Sequence, residues 1–79
     1  MPTLFVIDGF RFFFFSNEGS EPKQVHVEKA EKHAKFWLAP IMLAANYKFN
    51  SSELRKIEEI IEKRKDEIEV KWDEYFNLG

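Results

Sequence analysis

Two histidines, His26 and His33, and three glutamates, Glu18, Glu21 and Glu28, are the side chains whose types and spacing could do chemistry in this sequence. Imidazole moves protons near neutral pH and binds metals through its ring nitrogens. Neighbouring carboxylates do acid–base work when burial raises one of them. A zinc site built without cysteine needs histidine and carboxylate ligands that converge. The sequence puts His26 in mid-strand and His33 at a hairpin tip, which keeps them apart. No metal site and no cofactor is therefore expected, and adding zinc should leave the melting temperature unchanged. His26 is expected to make a structural hydrogen bond or line a small polar patch. The glutamates lie in and after a loop, where solvation or pairing with lysine is the ordinary state. Ser16, Ser20, Ser51 and Ser52 stand in no nucleophile-elbow context.

Composition narrows the classes further. The 79 residues make one small domain, which needs dense apolar packing, a staple or a partner. The absence of cysteine removes disulfides and thiolate chemistry and fits a reducing cytoplasm. Nine phenylalanines supply much buried area per residue. A net charge of −2 disfavours nucleic acid, whose binders draw affinity from a basic surplus. Met1-Pro2-Thr3 has no basic leader, and Asp8 and Arg11 interrupt the first apolar run. No run approaches the roughly 18 apolar residues of a membrane span. The expectation is a soluble cytoplasmic protein.

The elements that must position these residues come in a simple order. Thr3 to Ile7 and Phe10 to Phe15 are apolar runs separated by Asp8-Gly9, the signature of a type I′ hairpin. Phe10, Phe12 and Phe14 fall on one face of the second strand, Phe13 and Phe15 on the other. Ser16 to Pro22 is a loop by composition. Gln24 to Glu28 and Ala34 to Leu38 form a central hairpin with Lys29 to His33 at its tip. A regular hairpin of that length sets Val25 opposite Trp37 and His26 opposite Phe36. Pro40 ends the strand, and Ile41 to Ala45 is a short fifth strand or a single turn. Asn50 is an N-cap, Glu53 completes a capping box, and Phe49 and Leu54 offer a hydrophobic staple. Leu54, Ile57, Ile60, Ile61, Ile68, Trp72 and Phe76 then keep the helical period, with Arg64 and Lys65 interrupting the stripe. One helix from about Ser51 to about Phe76 is predicted. Its charged residues alternate in sign, as on a solvated face.

The motifs, taken in order, resemble a family of small bacterial proteins whose function is unassigned (DUF4160). They are Pro2-Thr3, Asp8-Gly9-Phe10-Arg11-Phe12, Ser16-Asn17-Glu18, Glu21-Pro22, Val25-His26-Val27, Lys35-Phe36-Trp37-Leu38 and Glu53-Leu54, closed by Trp72, Glu74 and Phe76. Members commonly read Glu-Pro-Pro-His-Val-His-Val in the central hairpin. Here Lys23 and Gln24 replace the second proline and the first histidine, so the resemblance carries no two-histidine site to this chain. It implies a gene neighbourhood shared with another small protein, in toxin–antitoxin-type or regulatory modules. It also singles out Arg11, Asn17, Glu18, Glu21, His26 and Lys35 as a candidate binding patch.

The expected architecture is α+β: an antiparallel β-sheet of four to five strands within residues 3–45, and one long C-terminal helix packed on one face. A single helix leaves the other face of the sheet uncovered, which makes Phe13, Phe15 and Trp37 a candidate interface. The leading functional expectation is a protein-interaction or regulatory module, a homodimer or the partner of a co-encoded small protein. A nucleic-acid-binding component of a toxin–antitoxin-type system is the second, and a small hydrolase using Glu21 and His26 the third.

Overall fold

The computed structural model describes residues 3–16 and 20–76. The strands are β1 (Thr3–Ile7), β2 (Phe10–Phe13), β3 (Gln24–Lys29), β4 (Lys32–Leu38) and β5 (Ile41–Tyr47), and the helices are α1 (Ser51–Lys63) and α2 (Lys65–Tyr75). The strands form one antiparallel sheet in the order β1-β2-β3-β4-β5. Each strand therefore pairs with its neighbour in sequence. Asp8 and Gly9 both take positive φ, 54° and 83°, as the type I′ turn between β1 and β2 requires. Gly9 has a second constraint, since a Cβ there would meet Lys29 Cε at 3.1 Å.

The register of the central hairpin differs from the sequence expectation. Val25 faces Phe36 and His26 faces Lys35, while Gln24 faces Trp37. The reason is that antiparallel partners share a face of the sheet. Val25 and Val27 belong to the core, so their partners must be the core residues Phe36 and Ala34. That alignment shortens the tip to Ala30 and Glu31, between the paired residues Lys29 and Lys32. The fifth element also differs. Ile41 to Tyr47 is a full strand with no turn of helix, and it runs two residues past the predicted end of the sheet.

The single long helix is overturned: the helical segment is broken at Arg64. Arg64 leaves helical geometry (φ −113°, ψ 17°), and its N–H is shared between the carbonyls of Ile60 and Ile61. The position lies between the buried Ile61 and Ile68, where the stripe offers a charged side chain. The Arg64 guanidinium instead sits 5.1 Å above the Phe5 ring and donates to Glu67. Its stem covers apolar surface while the charge stays wet.

Both helices pack on one face of the sheet. Phe10, Phe12, Phe14, Val25, Val27, Ala34, Phe36 and Leu38 meet Phe49, Ile57, Ile61, Ile68 and Trp72 there. The α1 start is closed by the predicted capping box: Asn50 Oδ1 accepts from Glu53 N–H at 2.8 Å, and Glu53 Oε1 accepts from Asn50 N–H at 3.1 Å. Glu53 Oε2 also accepts from Lys32 Nζ at 2.7 Å, tying α1 to the tip of the central hairpin.

These contacts make Glu53 a reporter of acid stability. The hydrogen bond from Lys32, then that from the Asn50 N–H, lowers its carboxyl below the ordinary carboxylate value. A depressed folded-state value gives stability that is present above the unfolded-state value and is lost as pH falls through the folded one. Glu53→Gln keeps an acceptor for the Asn50 N–H but removes the charge. The variant is expected to melt below the parent at pH 7, with the gap closing as the pH falls below the ordinary range for glutamate. Melting curves from pH 7 to pH 3 check this, and a gap of constant size would refute it.

Candidate functional site

The sheet face away from the helices carries the polar and aromatic residues that the sequence singled out. On β2, Arg11 and Phe13 point to this face; on β3, Gln24, His26 and Glu28; on β4, His33, Lys35 and Trp37. Cross-strand pairing then sets them side by side: Arg11 with Glu28, Phe13 with His26, His26 with Lys35, and Glu28 with His33. Arg11 donates to Glu28 Oε1 at 2.5 Å and to Thr3 Oγ1 at 2.7 Å, and its guanidinium lies 4.4 Å above Phe13. Three contacts fix one cation in the middle of the face.

His26 and His33 meet at the centre. His26 Nδ1 and His33 Nε2 are 3.2 Å apart. The ring planes differ by only 19° while the centroids are 5.3 Å apart, so the rings lie nearly coplanar and end to end. One ring donates N–H and the other accepts with its lone pair. The pair therefore needs one unprotonated nitrogen at the contact. Phe13 stacks on His26 at 5.5 Å, and Phe15 meets it edge-on at 4.3 Å. Phe13 is 2% exposed and His26 5%, although the helices lie on the other side of the sheet. The face has a small core of its own.

Residues 9–73 match the family model described as a domain of unknown function (DUF4160). The chain belongs to this family. No curated protein and no solved structure matches it. The DUF4160 match spans the whole face just described, from Arg11 on β2 to Trp37 on β4.

In this DUF4160 chain, Arg11, His26 and Lys35 of the candidate patch share one face, together with Phe13, Phe15 and Trp37 of the candidate interface. Lys35 Nζ lies 4.6 Å above the Trp37 ring. Glu21 stands at the mouth of β3, where its carboxylate accepts from Gln24 Nε2 at 2.7 Å. Asn17 and Glu18 lie outside the described residues. Trp37 and Phe15 are half-buried, and of the three interface candidates Phe13 is the one enclosed by its own chain.

His33 is what the sequence reading missed. The expected tip of Lys29 to His33 placed it in a turn, whereas the two-residue tip returns it to β4. The signal was available: aligning Val25 and Val27 with Phe36 and Ala34 brings His33 onto the His26 face. Among the described residues no group of three or more His, Cys, Asp or Glu side chains converges as a metal ion requires. An open cleft of about 280 Å³ lies elsewhere, lined by Thr3, Leu4, Lys71, Glu74 and Tyr75. It does not enclose Glu21 and His26, the pair that a hydrolase reading needs.

The Gln24 amide is held in one orientation. Its Nε2 faces two acceptors, the Glu21 carboxylate and the Pro22 carbonyl, so the amide cannot flip without opposing oxygens. Charge is also divided between the layers. Between Ser51 and Tyr75 nine carboxylates outnumber six cations, while Arg11, Lys35 and Glu28 leave the sheet face one cation in excess. No helix among the described residues is long and apolar enough to cross a membrane.

Proposed function

We propose that this chain is a cytoplasmic bacterial protein-interaction module, with regulatory use, that takes a strand of its partner along β5. The observation that carries this reading is the state of β5. It is an edge strand of seven residues without a single charge: Ile41, Met42, Leu43, Ala44, Ala45, Asn46 and Tyr47. Met42 is 53% exposed, Leu43 40% and Tyr47 57%. Ile41 packs against the core, and the six residues that follow it on the strand are exposed. Soluble proteins usually blunt such an edge with lysine, proline or inward charge, because its free N–H and C=O groups template pairing. Strand addition uses those groups for affinity and side-chain pockets for specificity. Trp37, the cross-strand partner of Met42, extends the apolar surface inward.

The test compares the parent with Met42→Lys/Tyr47→Lys in pull-downs from the native host, with amide exchange of residues 41–47 measured in the captured complex. Proteins bound by the parent and lost by the variant, with β5 protected, support the reading. Equal capture by both would overturn it.

A second reading has its own observation. Lys35 lies over Trp37 and Lys48 over Tyr47, which sets two cations beside solvent-accessible aromatic rings on one sheet face. Single-stranded nucleic acid binds surfaces of that kind by stacking and charge. Binding of an oligonucleotide that weakens steeply with salt would favour it over strand addition.

A further inference from the structure

We infer that the His26–His33 contact is an acid-operated latch on the second face of the sheet, which keeps Phe13 and Phe15 packed until both rings are charged. The inference is independent of strand addition at β5. His26 on β3 and His33 on β4 are diagonal neighbours, since His26 pairs with Lys35 and His33 with Glu28. His26 Nδ1 and His33 Nε2 lie 3.2 Å apart in nearly coplanar rings, so the two nitrogens point at each other and share one hydrogen. Two neutral rings satisfy that contact, one donating and the other accepting. A single added proton goes to the far nitrogen of the donor ring and leaves the contact intact. A second proton sets N–H against N–H, with no lone pair left between them. The pair therefore titrates as a unit, and its second step breaks it.

The surroundings oppose that second charge. His26 is packed between Phe13 and Phe15 and is 5% exposed, so water does little to solvate a cation there. From β2 the facing charge is the Arg11 guanidinium, and the Glu28 carboxylate of β3 is already engaged with it. β4 adds the Lys35 ammonium beside His26. β5 adds the Tyr47 phenol opposite His33, with Lys48 Nζ 5.2 Å from the centre of that ring. The helices pack on the other face. His33 is half-buried and gives the proton its way in. The open form holds more protons than the closed one, so the latch is shut at the upper end of the histidine range and is released as the pH falls through it. Opening frees the Phe13 ring, which is 2% exposed when the latch is shut.

The test follows the full chain from about pH 8 to about pH 5, across the histidine range and above the ordinary carboxylate range. The chain has no third imidazole to answer in this window. Nitrogen NMR of the rings reads the protonation steps, a dye that binds apolar surface reads the opening, and far-UV circular dichroism reads the helices. In the parent, dye fluorescence is expected to rise several-fold with the second ring protonation while the helix signal holds. His33→Gln places an amide where Nε2 stood, which accepts from a charged His26 as readily as it donates to a neutral one. That variant is expected to fold and to bind no dye at any pH in the window. Equal dye binding by parent and variant, none by the parent at the acid end, or helix loss in step with the dye overturns the latch. If the variant does not fold, the parent's own titration decides. Opening at the first ring protonation, or at neither step, then overturns it.

Discussion

Trp72→Ala is expected to lower the melting temperature by at least about ten degrees. The residue is 1% exposed, and its ring meets Phe14 edge-on at 5.1 Å and Phe76 at 4.3 Å. It is the largest side chain that α2 sends into the core. Truncating a buried aromatic to alanine costs about 3–5 kcal/mol, the lost transfer energy plus the cavity left behind. In a domain of this size each kcal/mol moves the midpoint by about 4–8 °C. The cost is a large share of the roughly 5–15 kcal/mol that holds a native protein together. A thermal melt within a few degrees of the parent would mean that α2 is not docked on Phe14. The break at Arg64 gives this experiment a second use. If α2 docks independently of α1, the variant loses helix signal in two steps, whereas one cooperative step shows the two helices unfolding with the sheet.

Phe13→Ala is expected to cost nearly as much, on the face where no helix lies. Phe13 is enclosed by His26, His33, Phe15 and the Arg11 guanidinium. The same cavity argument gives about 3–5 kcal/mol if those neighbours stay in place, and less if they collapse inward. Urea unfolding should show a lower midpoint at an unchanged slope, the mark of lost stability without a change in exposed surface. Tyr47→Ala, on the exposed edge, is the control and should stay within about 0.5 kcal/mol. A Phe13 variant as stable as the Tyr47 one would show that the second face is an open surface with no packed core.

Much of the fold was legible because local rules and the global pattern agree here. Asp8-Gly9 named its turn, Asn50 and Glu53 named the helix start, and the alternation of Phe10, Phe12 and Phe14 named the core face. The register of the central hairpin was harder to read, because a one-residue change in an assumed turn moves every partner. The physical constraint that settles it is that core residues must face core residues. The helix break was marked by Arg64 and Lys65 in the apolar stripe, but a stripe position with a charge can also be solved by snorkelling alone. The candidate site was legible by residue type and obscure by geometry. Arg11, His26 and Lys35 do share a face, yet the histidine contact depends on the register. The exposure of β5 beyond Ile41 depends on how far the helices reach across the sheet, which no window of sequence encodes.

The strictly sequential strand order has a consequence for the nascent chain. Each hairpin can close as soon as its second strand leaves the ribosome, because no strand waits for a distant partner. The two helices are made last. Synthesis adds about 5–20 residues per second, and until the helices leave the ribosome the row of Phe10, Phe12 and Phe14 has no helix of its own chain to cover it. The apolar face of the sheet is therefore the last part of the core to be closed, and it is closed by the helices.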